Sequence, residues 1–401
     1  MATREAAGDH LVRPVGLARV AVLAFGTFAL GTDLYVIAGV LPEIARGNRV
    51  PVALAGQLVT IFALAYALGS PLLAVASARV DRRRLMLLAL GAFAAANLGA
   101  ALAPDYGTLI ASRVLAALAA AAYTPVATVA AASLVAPERR GRALAMVTGG
   151  MTLAILFGVP LGTLVGRVFG WRATFELVAA LAVLAAIGLI LYLPTVPSTP
   201  VASLRSRLVL LADRQVAALL LVTLLALTGS LGAYTYLLPL LARIHPSASQ
   251  ATLLFAAFGA GGVVGNALGG IAADRLGAAR TVGVGLMALA CILAIFATAE
   301  RSLVGSGGLL FAWGLAGWVW YPPQQHRLVE RAGRAAPTAL ALNGSAIYLG
   351  IALGGGMGGL LMGSAGSTVL PLAAAGVVAL SLFVSVVVAR KSDTTWPPEG
   401  R

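Results

Sequence analysis

The chain has 401 residues, of which 60% are hydrophobic and only 10% are charged, and its mean hydropathy is +0.95. Soluble domains carry about 25% charged residues, so this composition excludes a water-soluble fold and indicates a polytopic membrane protein. The formal net charge of +14 does not indicate nucleic-acid binding, because the arginines lie in short segments between apolar runs, where they set membrane topology.

Long apolar runs predict membrane-spanning helices, each of which needs about 20 apolar residues. The chain contains twelve such runs: 16–41, 53–77, 85–103, 108–134, 143–166, 174–193, 216–241, 251–273, 280–299, 303–322, 337–362 and 368–389. Short segments rich in proline, glycine, arginine and aspartate separate them. We therefore expect an all-α membrane protein with twelve transmembrane helices.

The longest connecting segment divides these runs into two sets of six. It covers residues 194–215 and contains three prolines followed by basic residues. We predict an N-terminal six-helix bundle over 1–193, a cytoplasmic central loop over 194–215 and a C-terminal six-helix bundle over 216–401.

Basic residues are distributed unevenly between the two sides of the membrane. Up to residue 391, the termini and the loops after even-numbered helices hold 20 of them, and the loops after odd-numbered helices hold 6. Cytoplasmic loops carry the excess of Lys and Arg. We therefore expect a plasma (inner) membrane protein with both termini in the cytoplasm.

Two stretches half a chain apart resemble each other. Residues 69–84 and 262–277 each end an apolar run with an Asp-Arg pair, and the pairs Asp81-Arg82 and Asp274-Arg275 are 193 positions apart. A repeat of this length is typical of transporters built from two similar membrane halves.

The repeat and several local motifs resemble the major facilitator superfamily. Gly270 to Gly277 matches its signature loop, G-x-x-x-D-R-x-G. Five further stretches are similar to bacterial drug:proton antiporters of the arabinose-efflux and chloramphenicol-resistance type: LGTDLYVIAGVLPEIA (30–45), ASRVLAAL (111–118), PERRGRALAMV (137–147), FGVPLGTLVG (157–166) and GWRATF (170–175). The resemblance implies two pseudo-symmetric six-helix bundles that move a substrate by alternating access.

The resemblance also implies a cytoplasmic gate at the two repeated loops. An Asp at a helix end can accept hydrogen bonds from a neighbouring helix N-terminus, and an Arg can bridge to a carboxylate. The gate residues would be Asp81, Arg82, Asp274 and Arg275. The first copy has Ser77 and Arg84 where the second has glycines. A simple topogenic turn is the alternative.

Asp33 is the acidic residue that lies deep within a predicted span. An ionisable side chain in a membrane helix is expensive and is a functional candidate by default. We expect Asp33 to carry the coupled proton, and a structural acid bonded to nearby hydroxyls is the alternative. In many relatives the acid of this motif stands one position later, at Leu34 here, so the motif leaves open whether Asp33 faces the cavity.

Arg113 lies inside the fourth predicted helix and must also be paired or solvated. The resemblance makes it the arginine of the helix-4 motif, which is tied to proton transfer or to coupling between helices 1 and 4. We expect it to pair with Asp33. The alternative is a packing arginine bonded to backbone carbonyls.

Gly158, Pro160 and Gly162 lie inside the fifth predicted helix. Proline removes one backbone hydrogen bond and kinks a helix, and glycines permit close packing. The set resembles the antiporter motif of exporters. A generic kink is the alternative.

Polar and aromatic residues on the central helices are candidates to line a substrate cavity. Aromatic walls with a few polar groups suit apolar, planar compounds, although each residue could equally anchor an interface. The candidates are Tyr35, Gln57, Tyr66, Tyr123, Tyr234, Tyr236, Asn266, Trp313, Gln324 and Asn343.

The sequence therefore predicts a secondary transporter and not an enzyme, with no cofactor, no metal site and the proton gradient as its driving force. The expected partners are a small-molecule substrate, protons and the lipid bilayer, with no nucleic acid, and we expect a monomer. Export of apolar compounds such as antibiotics is the first hypothesis. Export of sugars, purines or other metabolites, and a non-transporting sensor or scaffold, are the alternatives.

Overall fold

A computed structural model describes five stretches of the chain, covering residues 17–77, 79–194, 209–298, 302–364 and 368–393. These residues form helices and short connections, without a strand. Most of the predicted central loop and both chain termini lie outside the described residues.

The helices that are long enough to cross a membrane are numbered α1 to α12 in chain order. They are α1 (Leu17–Asn48), α2 (Val52–Ala55 and Gln57–Ala76), α3 (Arg82–Ala101), α4 (Tyr106–Ser133), α5 (Arg140–Phe169), α6 (Trp171–Tyr192), α7 (Arg214–Thr235), α8 (Ala248–Leu276), α9 (Ala278–Thr298), α10 (Leu303–Val319, continued by Tyr321–Ala332), α11 (Ala336–Ser364) and α12 (Val369–Asp393).

Length and composition alone identify 11 helical stretches in the described residues that could cross a membrane, one of them 62 residues long, Leu303–Ser364. At about 1.5 Å per residue, that stretch would be roughly three times as long as a bilayer core of about 30 Å. It contains α10 and α11, which are separated at Gly333, where φ is +50°. Counting these two helices separately gives the twelve crossings that the sequence predicts.

Several helices extend beyond the apolar runs that predicted them. α1 continues through Pro42 to Asn48 instead of ending near residue 41, and the helix of α10 continues to Ala332 instead of residue 322. The added turns carry mainly polar side chains. The helix continues there because its backbone hydrogen bonds do not require apolar side chains. Hydropathy therefore predicts which part of a helix lies in lipid, but it does not predict where the helix ends.

The helices pack as two sets of six, named here the N-bundle (α1–α6) and the C-bundle (α7–α12). In the N-bundle, α1 packs against α5 and α6, and α3 packs against α4 and α6. In the C-bundle, α7 packs against α11 and α12, and α8 packs against α10. Between the bundles, α2 lies against α11, and α5 lies against α8.

The two bundles are joined by hydrogen bonds at one end of the molecule. The end that carries the loops after odd-numbered helices is named the odd-loop end, and the opposite end is the even-loop end. At the odd-loop end, Gln57 Nε2 donates to the carbonyl oxygen of Gly355 (3.4 Å), and Arg167 Nη2 donates to that of Pro246 (3.1 Å). Side chains of the N-bundle therefore bind the backbone of the C-bundle at this end.

Glycine stripes reveal the internal duplication in three dimensions. In the N-bundle, glycines of α5 abut side chains of α1: Gly158 meets Thr32, Gly162 meets Val36 and Gly166 meets Val40. In the C-bundle, the glycines of α11 that stand 192 positions later abut α7 and the residue after it: Gly350, Gly354 and Gly358. Small residues let helices approach closely in a membrane, so the same spacing builds the same helix pair twice.

The closest backbone approach in the C-bundle joins α8 to α10. Gly261, Gly265 and Gly269 recur every four residues on one face of α8, and a Cβ at each would overlap a backbone carbonyl of α10. At Gly265 the carbonyl belongs to Leu315. Because a side chain here must push apart two backbones instead of moving a flexible neighbour, glycine is required for this packing.

The substitution Gly265→Ala is expected to lower the free energy of unfolding by about 1–3 kcal/mol through overpacking. Gly270→Ala is the matched control in the same helix, since a Cβ there meets nothing within 4 Å and alanine is the better helix former. Thermal unfolding of both purified variants in one detergent measures the effect. Equal melting temperatures for the two variants would contradict the proposed α8–α10 contact.

Candidate functional site

A buried ion pair lies in the middle of the N-bundle. Arg113 Nη1 of α4 donates to Asp33 Oδ1 of α1 over 2.7 Å. The side chain of Asp33 is 0% exposed and that of Arg113 is 1% exposed. The sequence-predicted partners are therefore in direct contact, and neither charge is left alone in an apolar environment.

Aromatic rings surround the guanidinium group of Arg113. Its central carbon lies 4.6 Å from the ring centre of Phe62 on α2 and 5.6 Å from that of Phe175 on α6. A cation over an aromatic face gains electrostatic stabilisation, which is larger where water is excluded. Four helices of the N-bundle thus hold one arginine in place.

The ion pair is incompletely satisfied. Asp33 Oδ2 and Arg113 Nε are buried and have no hydrogen-bond partner among the described residues. A buried polar atom without a partner costs about 1–3 kcal/mol, and more when it is charged. The pair therefore retains one carboxylate oxygen that can accept a proton without losing an existing hydrogen bond.

The direction of Asp33 follows from the residues beside it on α1. Its side chain points into the N-bundle, whereas the next two residues, Leu34 and Tyr35, line a cleft between the bundles. Successive residues on an α-helix are rotated by about 100°. Leu34 therefore occupies the cleft position of the motif, and Asp33 is turned away from the cleft toward Arg113.

A small cleft between the bundles lies next to the ion pair. The N-bundle and the C-bundle each contribute four lining residues: Leu34, Tyr35, Ala38 and Val59, and Leu231, Tyr234, Thr235 and Ile351. The lining is apolar apart from two phenol groups and one hydroxyl group, and it contains no charged side chain. Such a surface suits a molecule that is mostly apolar.

Aromatic contacts extend from this cleft into the C-bundle. Tyr35 meets Tyr234 edge to face with ring centres 6.2 Å apart, and Tyr234 lies 4.7 Å from Phe258. Phe258 in turn meets Trp313 at 5.7 Å. The hydroxyl group of Tyr234 is buried without a hydrogen-bond partner among the described residues, so it is available to a bound molecule.

Two further cavity candidates from the sequence are occupied by contacts within a bundle. Tyr123 is buried inside the N-bundle, where its hydroxyl donates to the Leu23 carbonyl oxygen over 3.1 Å. The indole nitrogen of Trp313 donates to Ser230 Oγ over 3.0 Å. Trp313 lies behind Phe258 and Tyr234 of the cleft wall. Tyr123 lies farther along α1, against Leu23 and Gly26, and neither side chain lines the cleft.

The remaining six candidates divide among the bundle interface, the even-loop half and the odd-loop end. Tyr66 stacks on Tyr348 across the interface with ring centres 3.4 Å apart. Gln324 donates to the Leu219 carbonyl oxygen, and Asn343 is buried with its Oδ1 unpartnered among the described residues, while Asn266 is half-buried. Gln57 and Tyr236 lie together at the odd-loop end. These six candidates therefore lie in three places, none of which is the cleft.

The segment of α5 in which the sequence predicts a kink contains a π-helical turn. Residues Ala154–Gly158 have the wider hydrogen-bond spacing, and Pro160 follows directly. Proline has no N–H to donate, and single π turns often mark functional positions in helices. Gly259 of α8 rests on the backbone of this turn, so the irregular segment lies at the interface between the bundles.

The two repeated loops fold differently. Asp81 is the N-cap of α3 and accepts from the Arg84 backbone N–H over 2.9 Å. Asp274 lies within the last turn of α8 and is exposed, and α8 ends at Gly277, where φ is +84°. The first copy has Arg84 at the equivalent position, and its helix ends at Ala76, five residues before Asp81.

Comparison with known proteins identifies the family. Residues 23–338 match the sequence profile described as Major Facilitator Superfamily. The chain belongs to this superfamily. The inner membrane transport protein YdhP of Escherichia coli (strain K12) is 33% identical over 375 residues, which cover 93% of this chain and 96% of that protein. The chain is therefore a multi-pass membrane transporter and not an enzyme.

Further relatives and solved structures agree with this assignment. The MFS-type transporter YbcL of Bacillus subtilis is 33% identical over 86% of this chain and 88% of its own length. The "Probable sugar efflux transporter" of Mannheimia succiniciproducens is 31% identical over 86% and 87%. A bacterial homolog of the human lysosomal transporter Spinster, in an inward-facing and occupied conformation, has a TM-score of 0.76 at 21% identity, covering 95% of this chain and 98% of that one. This last similarity shows the major facilitator fold.

Sequence patterns missed several residues of this superfamily member's site. Phe62 and Phe175 enclose Arg113, and Phe258 and Tyr348 extend the aromatic contacts of the cleft. One signal was available: Phe62 stands four residues before Tyr66, so both share a face of α2. The partners contributed by α6 and α8 depend on the tertiary arrangement.

The ion pair predicts a specific result in a double-mutant cycle. Asp33→Asn should lower the free energy of unfolding by about 3–5 kcal/mol, because it leaves a buried guanidinium without a counter-charge. The combined variant Asp33→Asn, Arg113→Met should lose less than Asp33→Asn alone. Thermal unfolding in detergent measures both, with Glu176→Gln, an exposed carboxylate, as the control. A double variant whose loss equals the sum of both single losses would contradict the pairing.

Proposed function

We propose that this superfamily member is a proton-coupled exporter, which exchanges protons for small, mostly apolar compounds such as antibiotics by alternating access. The observation that carries the proposal is the buried Asp33–Arg113 pair. No cofactor is required in this scheme, because the proton gradient is the driving force. The functional unit is one copy of the chain.

The pair has the properties that a proton carrier needs. When Asp33 binds a proton, Arg113 loses its counter-charge, and an uncompensated buried charge costs about 3–5 kcal/mol. Protonation therefore favours a conformation in which Arg113 finds another partner or solvent. Such a difference is large enough to shift a two-state equilibrium strongly, which is what coupling requires.

The position of Asp33 on α1 links the proton to the substrate cleft. Asp33 and Tyr35 lie on different faces of one helix, with Asp33 against Arg113 and Tyr35 against Tyr234 of the C-bundle. A shift of α1 when the ion pair breaks would displace the cleft wall. In this scheme the proton and the substrate bind at separate sites.

The lining of the cleft supports an apolar substrate. Leu34, Val59 and Ile351 supply aliphatic surface, and Tyr35 and Tyr234 supply aromatic surface with hydroxyl groups. A site for a sugar would carry more hydrogen-bonding side chains, since each buried hydroxyl of the ligand needs a partner. The cleft has a volume of only about 10 Å³ in this conformation, so its lining favours an uncharged, mostly apolar compound that would enter after the bundles separate.

The charge distribution supports an orientation in the inner membrane. With the basic loops in the cytoplasm, the even-loop end and both termini would be cytoplasmic. The bundles meet at the odd-loop end, so the cleft would be closed to the outside in this conformation. The exposed carboxylate of Asp274, with Asp81, Arg82 and Arg275, would form the cytoplasmic gate in the opposite conformation.

A metabolite exporter is a second candidate function. A relative described as a "Probable sugar efflux transporter" shares 31% identity with this chain. The buried amide side chain of Asn343 lies toward the even-loop half with its Oδ1 unpartnered among the described residues, and it is available to a polar compound. Purified protein tested with sugars, purines and antibiotics would separate the two functions.

Substrate-induced proton release tests the coupling role of Asp33. The wild-type protein in weakly buffered detergent solution should release protons when an exported compound binds. Asp33→Asn should still bind the compound but release none, because it has removed the titrating group. Glu176→Gln should release as many protons as the wild type. Undiminished proton release from Asp33→Asn would contradict the proposal.

Asp274→Asn should have a different effect from Asp33→Asn. The gate residue is remote from the ion pair, so the number of protons released per bound compound should stay at the wild-type value. Transport into vesicles under a pH gradient should slow by about tenfold, because one stabilised conformation of the cycle is lost. If Asp274→Asn released fewer protons per bound compound than the wild type, proton coupling and gating would not be separate roles.

A further inference from the structure

The side chain of Tyr236 lies where three helices meet at the odd-loop end. α7 ends at Thr235, Tyr236 follows with φ −103° and ψ 22°, and a short helix, Leu237–Leu240, resumes the chain. The ring of Tyr236 is 0% exposed. It projects between α2 of the N-bundle and α11 of the C-bundle.

The Tyr236 hydroxyl group makes hydrogen bonds to both bundles. It lies 3.1 Å from the carbonyl oxygen of Gly355 on α11 and 3.3 Å from that of Ala53 on α2. Gln57 Nε2 lies 3.5 Å from the same hydroxyl and also approaches the Gly355 carbonyl oxygen at 3.4 Å. Because the hydroxyl has a single proton, it alternates between the two carbonyl oxygens while Gln57 donates to it.

Glycines make the space for this ring. A Cβ at Gly56 of α2 or at Gly358 of α11 would overlap the aromatic ring of Tyr236, and a Cβ at Gly359 would overlap the Gln57 amide. A Cβ at Gly356, in the same turn of α11, would meet nothing within 4 Å. The glycines that contact Tyr236 and Gln57 therefore form a slot, and the slot exists only while α2 and α11 are together.

Tyr236 is also linked to the substrate cleft. Tyr234, two residues earlier on the last turn of α7, lines the cleft and meets Tyr35 of the N-bundle. Movement of the end of α7 would therefore shift both side chains together.

We propose that Tyr236, seated in the slot formed by Gly56, Gly358 and Gly359 and bonded to Gln57, is the lock that holds the odd-loop end closed. Opening the odd-loop end would withdraw the ring from the slot and expose three backbone or amide partners to water. The lock rests on the proposed alternating access but involves neither Asp33 nor the proton.

Cysteine labelling tests the lock directly. The reporter is Val59→Cys, which lines the cleft below the lock, in a Cys291→Ser background that removes the exposed native cysteine. A membrane-impermeant maleimide is added to intact cells, so that it reaches Val59→Cys only through the odd-loop end. Gly358→Ala should raise the labelling rate about tenfold, because overpacking prevents the ring from seating. The control Gly356→Ala should be labelled at the same rate as the Val59→Cys reporter without a further substitution.

Tyr236→Phe gives a second, independent measurement if Gly358→Ala does not accumulate in the membrane. It keeps the ring and removes the hydroxyl group, so labelling should rise about fivefold, the effect of one lost hydrogen bond. Tyr192→Phe, at an exposed tyrosine of α6, should leave the rate unchanged. The proposed lock would be contradicted if Gly358→Ala were labelled no faster than Gly356→Ala. It would also be contradicted if Tyr236→Phe were labelled no faster than Tyr192→Phe.

The two proposals fail in distinguishable ways. Labelling of Val59→Cys requires neither a substrate nor a pH gradient, so it reports on the lock even if the protein does not exchange protons. Combining Asp33→Asn with the reporter should leave the Gly358→Ala effect intact. Loss of that effect in the Asp33→Asn background would show that the ion pair, and not Tyr236, holds this end closed.

Discussion

A hydrocarbon core solvates no charge, and the interior of the N-bundle is organised around that constraint at Asp33 and Arg113. Their 2.7 Å contact draws α1 and α4 together, and Phe62 and Phe175 bring α2 and α6 to the same point. An ion pair that is replaced by apolar residues often costs nothing, whereas removing one partner is strongly destabilising. A buried pair of this kind is therefore poor as a structural element but well suited to a switch, because one proton changes its energy substantially.

The two bundles share an architecture but not a chemistry. The same glycine spacing packs α5 on α1 and α11 on α7, with a shift of 192 positions. The N-bundle then holds the ion pair, while the C-bundle holds aromatic residues such as Tyr234 and Phe258 and the tyrosine at position 236. The cleft lies between these halves, so a compound in it would contact α1, which carries the proposed proton site, and α7, which leads to the proposed lock at Tyr236.

Much of the fold follows from hydropathy, because twelve crossings need only long apolar runs and basic residues concentrated in alternate loops. The pairing of Asp33 with Arg113 is predicted from the cost of burying either charge alone together with the family resemblance, which implies that helices 1 and 4 are neighbours. Helix ends could not be predicted, since α1 and α10 continue as polar helices beyond the apolar runs. The direction of each side chain could not be predicted either: Tyr123 is turned into the N-bundle and Trp313 into the C-bundle, because tertiary packing decides how each helix is rotated.

The central claim is that Asp33 is the group that gains and loses the coupled proton. Infrared difference spectroscopy tests it most directly, since a protonated carboxyl group has a carbonyl stretching band that a carboxylate lacks. At a pH at which Asp33 is protonated before binding, an exported compound added to the wild-type protein should remove such a band, and the Asp33→Asn protein should show no change there. A band of undiminished amplitude in Asp33→Asn would show that another group carries the proton, and would contradict this account.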